Sequence, residues 1–196
     1  MKKLPTLFER LYNDDGRVTG ITSHVTDGME WVLDGQGVAT VKWDGACCAV
    51  IDGEFYKRYD AKQGKTPPEG AIFCCDPDPV TGHWPHWVPI HEDDPADQWF
   101  IAAMNGYKGS LLLRNQELTD GTYEAIGPHF QGNPYKIATD TLVPHGDDPV
   151  IVERTFDGIR NFLTANAIEG LVFWKDDEPQ CKIKRKDFGI PWPLKH

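Results

Sequence analysis

The chain has 196 residues, enough for one sizeable domain with its own core, and no apolar run approaches the roughly 20 residues that a membrane-spanning helix needs. The formal net charge of −10 excludes a general nucleic-acid coat protein, because Lys and Arg supply most nonspecific affinity for phosphate. Two lysines near the N-terminus have no apolar stretch behind them, so no secretory signal is predicted and a cytoplasmic protein is expected.

Five cysteines occur as the pairs Cys47-Cys48 and Cys74-Cys75 and as Cys181. An odd count with adjacent pairs does not resemble a disulfide framework, so reduced and mostly buried thiols are expected. Structural zinc sites usually separate their paired ligands by two to four residues, which these pairs do not do. Zinc is therefore only a minor alternative for the paired cysteines.

The predicted elements begin with a short amphipathic helix over Leu7 to Tyr12, ended by the turn formers that follow it. Strands are predicted at 38–42, 46–51 and 54–59, with turns between them. Residues 67–95 carry many prolines and acids, which predicts an irregular insertion in the surface.

The second half of the chain alternates helical and strand patterns. Helices are predicted at 96–104 and 155–165, the latter capped by Thr155. Strands are predicted at 122–126, 170–174 and 180–184, the last two forming a hairpin. We expect one α+β domain over residues 1–196, with antiparallel sheets flanked by helices.

Lys42 falls at a predicted strand end, in the tetrapeptide Lys42-Trp43-Asp44-Gly45. A lysine becomes a nucleophile only when its ammonium group loses a proton. The tetrapeptide resembles motif I, Lys-x-Asp-Gly, of the covalent nucleotidyltransferases, which comprise ATP-dependent DNA and RNA ligases and mRNA capping enzymes. The resemblance implies that Lys42 attacks the α-phosphate of ATP to form lysyl-AMP. It also implies that Asp44 and Gly45 bind the nucleotide, with Gly45 allowing close backbone approach.

Two downstream segments resemble further motifs of the same superfamily. Arg58, in Tyr56-Lys57-Arg58-Tyr59, resembles the arginine of motif Ia, which implies a contact with the nucleotide or the 5′-phosphate end. Glu124, in Gly121 to Gly127, resembles the glutamate of motif III, which implies a role at the ribose or a metal. Glu124 stands between apolar neighbours, where an unpaired carboxylate would be costly, so a purpose is expected.

The predicted hairpin near the C-terminus resembles motifs IV and V. Glu169 and Gly170 open the first strand, and the resemblance implies that Glu169 supports a catalytic metal. Lys182 and Lys184 are two residues apart on the second strand, so both ammonium groups point the same way. There they can neutralise a triphosphate, stabilise charge on the α-phosphate and help to lower the pKa of Lys42.

Residues for an adenine pocket are expected from two further places. The stretches Gly132-Asn133-Pro134-Tyr135 and Thr141 to Gly146 resemble a segment of RNA ligases of a group that includes a vertebrate 5′-to-3′ RNA ligase. Val143 or His145 would there pack against adenine, with an exposed loop histidine as the alternative. Trp31 and Val32, upstream of Lys42, are the other candidates, although a core tryptophan is the commoner case.

The resemblance implies the nucleotidyltransferase fold, an ATP-grasp-like ligase adenylation fold, using ATP with Mg²⁺ or Mn²⁺. Only 12 residues follow Lys184, so we expect a minimal form without a C-terminal OB domain. The function expected is that of a monomeric ATP-dependent RNA ligase joining 5′-phosphate and 3′-hydroxyl ends, in a nicked duplex or a tRNA. A minimal ATP-dependent DNA ligase, or a nucleotide-binding or end-binding module without turnover, are the alternatives.

Overall fold

The computed structural model describes residues 3–62, 64–78 and 81–193. Within these ranges it has twelve strands and two α-helices. The strands are β1 (Phe8–Tyr12), β2 (Val18–Val25), β3 (Val38–Lys42), β4 (Ala46–Ile51), β5 (Glu54–Lys62), β6 (Ile72–Phe73), β7 (His83–Pro89), β8 (Gly121–Ile126), β9 (Thr141–Pro144), β10 (Pro149–Val150), β11 (Gly170–Lys175) and β12 (Glu178–Lys184). The helices are α1 (Gln98–Leu113) and α2 (Phe156–Ala165). These strands pair antiparallel with one another, so the predicted α+β class is confirmed.

The described chain divides into two compact units. The first unit holds Lys3 and residues 44–145, and the second holds residues 4–43 and 146–193. The chain passes from one to the other after Trp43 and again after His145. The single domain expected over residues 1–196 stays a prediction, and residues 1, 2, 63, 79, 80 and 194–196 lie outside the described ranges.

The first unit is a six-stranded sheet in the order β6-β7-β5-β4-β8-β9, with α1 packed against it. Phe100 and Tyr107 of α1 make edge-to-face contacts with Phe130 and Tyr123. The buried core consists of Cys48, Val50, Phe55, Ala103, Tyr123, Ala125, Phe130 and Leu142. This core fixes the strands that carry Gly45, Glu124 and Val143.

The second unit combines a four-stranded sheet, in the order β10-β3-β11-β12, with the hairpin β1-β2 and α2. Thr155 caps α2 by accepting a hydrogen bond from the Gly158 backbone at 3.0 Å, as predicted. Ile159 and Leu163 lie one turn apart and are fully buried against the sheet. Helix α2 therefore packs against the four-stranded sheet, which carries Lys42, Lys182 and Lys184.

The helix predicted over Leu7 to Tyr12 is wrong. Residues Phe8–Tyr12 form β1, which pairs with β2, with Arg10 opposite Ile21. The turn formers that were read as a helix end make a hairpin turn instead, in which the Asn13 side chain accepts a hydrogen bond from the Arg17 backbone. Backbone pairing and burial of Phe8 in the core override a weak local helical pattern.

Part of the segment expected to be irregular, residues 67–95, is strand β7. The Ile90 N–H donates to Phe55 on β5, and N–H groups along a strand alternate between its two sides. The nitrogens of Pro85 and Pro89 therefore face β6, which is only two residues long, so the missing donors cost little. The sequence does not predict this strand because a high proline content normally indicates a loop.

The five cysteines are free, with Cys48 and Cys181 buried and Cys47, Cys74 and Cys75 half-buried. Free thiols agree with the expectation, but the expectation that most of them are buried is wrong, because only two of the five are. Within the described residues, no helix is both long and apolar enough to cross a membrane.

Candidate active site

Three strands of the second unit bring Lys42, Glu169 and Lys184 together. In the four-stranded sheet, Gly170 on β11 stands opposite Lys42 on β3 and opposite Lys184 on β12. Glu169 immediately precedes Gly170 and reaches both neighbours. Its Oε2 accepts a hydrogen bond from Lys42 Nζ at 2.5 Å, and its Oε1 accepts one from Lys184 Nζ at 2.5 Å. Residues separated by up to 142 positions in the chain thus share one carboxylate.

Gly170 is required by the close approach of β12. A Cβ atom at this position would lie 2.2 Å from the Ile183 carbonyl oxygen. Any larger residue would push β12 away and separate Lys184 from Glu169. The Glu-Gly pair is therefore a packing requirement as well as a chemical one.

Glu169 is only 6% exposed, so its charge depends on its partners. Burial alone would raise the pKa of the carboxyl, but the nearby ammonium groups of Lys42 and Lys184 outweigh burial and lower it. The carboxylate is ionised at neutral pH, and it faces two positive charges. The arrangement has a net positive charge.

Lys182 adds a third amine beside this pair. Its pKa is lowered to about 8, by burial first and then by the charges of Lys184, Lys42 and Arg10, while Glu169 acts in the opposite direction. We call Lys42, Lys182, Lys184 and Glu169 the lysine cluster. An anion bound there would be attracted by the cluster and would favour the charged form of Lys182.

The first unit gathers a second set of the predicted residues around Glu124. The Gly45 backbone N–H donates to Glu124 Oε1 at 3.0 Å. His145 Nε2 lies 3.0 Å from Glu124 Oε2, and His145 Nδ1 lies 2.9 Å from the Thr122 hydroxyl. Val143 stands directly opposite Glu124 on β9 and is half-buried. The carboxylate is thus held from both sides and keeps a fixed orientation.

Asp44 and Gly45, the two residues of the Lys-x-Asp-Gly tetrapeptide that lie in the first unit, have closely packed backbones. A Cβ atom on Gly45 would lie 2.1 Å from the Ala125 carbonyl oxygen, so glycine is required here. The Asp44 backbone N–H donates to the Tyr135 hydroxyl at 2.7 Å. The sequence alone assigns no role to Tyr135, because nothing local links it to a residue 91 positions away.

Cys47 is a further neighbour of Glu124 that sequence reasoning did not single out. It stands opposite Glu124 in the pairing of β4 with β8. Burial and then the charge of Glu124 raise the pKa of its thiol to about 12. The Cys47 sulfur, a Glu124 oxygen and a His145 nitrogen all lie within 4.8 Å of one another. The only sequence feature that could have indicated Cys47 is its position two residues after Gly45 of the tetrapeptide.

Arg58 lies near Cys47, and its positive charge acts against burial to lower the pKa of that thiol. Its Nε donates to Asp60 Oδ1 at 2.8 Å. It lines a cavity of about 390 Å³ together with acidic residues that include Asp76 and Asp78. Arg58 is therefore paired with Asp60 beside an acidic cavity, and Cys47 is its neighbour in the Glu124 set.

Trp31 and Val32 belong to the packing of the second unit. The side chain of Val32 is fully buried in the core and has no exposed surface to offer a base. Trp31 packs over Gly37, and the Lys175 ammonium lies 5.5 Å from its ring centroid. Trp31 and Val32 are thus engaged in other interactions, as is His145 through Glu124 and Thr122.

No family model matches the chain. The sequence is similar to curated proteins named RNA ligase 1. The one from Danio rerio is 29% identical over 141 residues, covering 58% of this chain and 43% of the relative. The one from Rattus norvegicus is 28% identical over 143 residues, with the same coverage of both chains. The one from Mus musculus is 27% identical over 139 residues, covering 58% of this chain and 42% of the relative. The match spans less than half the length of these relatives, and it supports an RNA ligase relationship for this chain.

Proposed function

We propose that the chain is an ATP-dependent RNA ligase that adenylates itself on Lys42. The observation that carries the proposal is the lysine cluster, in which Glu169 holds Lys42 and Lys184 at 2.5 Å each. Similarity to proteins named RNA ligase 1 supports RNA as the polymer. We also propose that the chain has the nucleotidyltransferase fold.

The residues of the cluster fit a nucleoside triphosphate. Three amines face a single carboxylate, and this excess of positive charge suits a polyanion. Glu169 also offers carboxylate oxygens of the kind that Mg²⁺ or Mn²⁺ binds, although a metal ion would have to replace an ammonium group there. A metal ion at Glu169 would withdraw charge from the phosphate oxygens.

The first step falls on Lys42. Its Nζ donates to Glu169, whereas attack requires a nitrogen with a free electron pair, so this contact must loosen when the nucleotide binds. The freed Nζ gives up two protons to solvent as it forms a bond to the α-phosphorus. The bond from the α-phosphorus to the bridging oxygen breaks, and pyrophosphate leaves with the electron pair of that bond. Lys182 and Lys184 stabilise the negative charge that develops on the phosphates.

In the first unit, Glu124 and its neighbours bind the nucleotide in this proposal. Glu124 is oriented by Gly45 and His145, so its oxygens are positioned to accept hydrogen bonds from ribose hydroxyls. Val143 lies beside it as an apolar contact for the base. Only two residues separate Lys42 from Gly45 along the chain.

Two later steps complete the proposed reaction. The 5′-phosphate of one RNA end attacks the phosphorus of lysyl-AMP and releases Lys42, giving a 5′-adenylated end. The 3′-hydroxyl of the other end then attacks the 5′-phosphate and expels AMP. The product is a phosphodiester bond.

The test uses ATP labelled at the α-phosphate, with Mg²⁺, followed by 5′-phosphorylated RNA ends. The wild-type chain and Lys108→Ala, a variant in an exposed lysine of α1, are expected to take up label and to join RNA. Lys42→Ala is expected to take up none. Label that persists in Lys42→Ala would contradict the proposal.

The same assay separates the alternatives. Nicked duplexes of RNA and of DNA and single-stranded 5′-phosphate RNA are offered in parallel. Sealing of DNA nicks alone would identify a minimal DNA ligase. Binding of ends without label or product would identify a binding module without turnover.

A further inference from the structure

The sheet of the first unit places a sulfur, a carboxylate and an imidazole on one face. Cys47 and Glu124 are direct partners across β4 and β8, so their side chains stand side by side. His145 follows β9, two residues beyond Val143, which is the partner of Glu124 on the other side. Antiparallel register, rather than sequence spacing, therefore assembles the three groups.

The geometry points to a binding site for Zn²⁺ formed by Cys47, Glu124 and His145. Their ligand atoms lie within 4.8 Å of one another, and the Glu124 and His145 atoms are already 3.0 Å apart. In a tetrahedral zinc site with bonds of about 2.0 to 2.3 Å, neighbouring ligand atoms lie roughly 3.3 to 3.6 Å apart. Small side-chain rotations bring the three atoms to that spacing.

Two of the three groups already have the outer partners that metal ligands require. The Thr122 hydroxyl contacts His145 Nδ1 at 2.9 Å, which leaves Nε2 directed at Glu124. The Gly45 N–H holds the other oxygen of Glu124 at 3.0 Å. Such contacts fix ring and carboxylate orientation and raise ligand basicity.

The donor set selects the metal. A thiolate with an imidazole and a carboxylate suits Zn²⁺, whereas Mg²⁺ prefers oxygen ligands throughout. The thiol proton passes to solvent as the sulfur–zinc bond forms, and neutral His145 donates its Nε2 lone pair. All three residues are half-buried, so water fills the fourth position.

The paired cysteines had offered poor zinc spacing in the sequence. The site uses only the first of them, with ligands 77 and 98 positions away. The zinc site shares Glu124 with the proposed ribose contact, but it rests on three side chains of the first unit alone and can be tested without ATP.

The test is a titration of the metal-free chain with Co²⁺, a spectroscopic substitute for Zn²⁺, followed by displacement with Zn²⁺. We expect a thiolate-to-cobalt charge-transfer band that saturates at one equivalent and disappears when Zn²⁺ is added. Cys47→Ser and His145→Gln are expected to lose it, and Cys75→Ser, a half-buried cysteine of the same unit, is expected to keep it. Circular dichroism of each variant checks that it is folded.

A second variant tests the outer partner. Thr122→Val removes the hydroxyl from His145 without touching a ligand, so Zn²⁺ affinity should fall by about 10- to 100-fold. A chain that gives no charge-transfer band, a band that survives in folded Cys47→Ser, or unchanged affinity in Thr122→Val would overturn the inference. Because no ATP is present, failure here leaves the proposed function untouched, and failure to adenylate leaves the zinc site untouched.

Discussion

Among single residues, Glu169 is central because its one carboxylate pairs with two amines, those of Lys42 and Lys184. Burial opposes its charge, yet Lys42 and Lys184 keep it ionised, so the three residues depend on one another. A neutral side chain of the same shape would leave two ammonium groups close together without an anion. The cluster is held by mutual charge more than by shape.

Glu169→Gln is predicted to reduce adenylation of Lys42 by about 100-fold or more, the size expected when a charged group is lost from a reacting centre. It should also lower the free energy of unfolding by about 1–3 kcal/mol, less than for a fully buried pair because both lysines are partly exposed. Labelling rates and urea unfolding measure the two effects. Glu178→Gln, at the exposed start of β12, is the control, and equal behaviour of both variants would contradict the account.

The lowered pKa of Lys182 makes the free energy of unfolding depend on pH. Its folded pKa is about 8, lowered by burial first, whereas the amine of an unfolded chain titrates near 10.5. Below pH 8 the amine is charged in both states, and folding bears the full cost of burying it. Between pH 8 and 10.5 the folded chain releases the proton first, so this cost falls as pH rises.

The measurement compares the wild type with Lys182→Met. From pH 8 to 10.5, the free energy of unfolding of the wild type should rise relative to the variant by about 2–3 kcal/mol. Lys108→Met, which removes an exposed amine, should run parallel to the wild type. Parallel profiles for Lys182→Met as well would show that burial does not perturb Lys182.

Residues of the candidate site differ in how far the sequence predicted them. The positions of Lys42, Glu169 and Lys184 follow from motif order, since each motif also has a strand pattern. Tyr135 and Cys47 could not be found in this way, because their contacts depend on chain crossings and strand register that short sequence patterns do not contain. In the sequence, an apolar residue before a motif looks the same whether it lines a pocket or fills a core, and Val32 is fully buried in the core.

At the scale of elements, the row formed by β3, β11 and β12 positions the cluster. Gly170 is its central residue, and the β12 backbone passes where a side chain would be. The predicted strands at 38–42, 46–51 and 170–174 were recognisable because apolar, β-branched residues and sharp turns agree there. The sequence does not predict β7, because its prolines indicate a loop. It does not predict the hairpin β1-β2 either, because a weak helical pattern covers β1.

Gly170→Ala is predicted to be destabilising by about 1–3 kcal/mol, because the new methyl group overlaps the Ile183 carbonyl. Displacing β12 also moves Lys184 away from Glu169, so adenylation should fall together with stability. Gly20→Ala, in β2 with no atom near the new methyl group, is the matched control. Urea unfolding of both variants is the measurement, and equal stability would argue against a tight β11–β12 contact.

At the scale of the whole molecule, the charge of −10 limits where RNA can bind. The densest run of basic residues is 182–186, where Arg185 is buried, and acidic residues outnumber basic ones by ten over the whole chain. The chain should therefore contact few phosphates.

Salt dependence of RNA binding tests this distribution. With about 0.7 of a counterion released per phosphate of a single strand, four or fewer contacts give a slope of log affinity against log salt of roughly −3 or shallower. Fluorescence anisotropy with a 5′-phosphorylated RNA across a KCl series gives the slope. A value near −6 would require a broad basic surface and would contradict this account.

The most direct test of the central claim is to map the adenylated residue. The chain is incubated with ATP and Mg²⁺, digested, and analysed by tandem mass spectrometry under conditions that preserve the phosphoramidate bond. The account predicts one AMP per chain, on Lys42. AMP on Lys182, Lys184 or another residue with Lys42 unmodified, or no adduct at all, would contradict it.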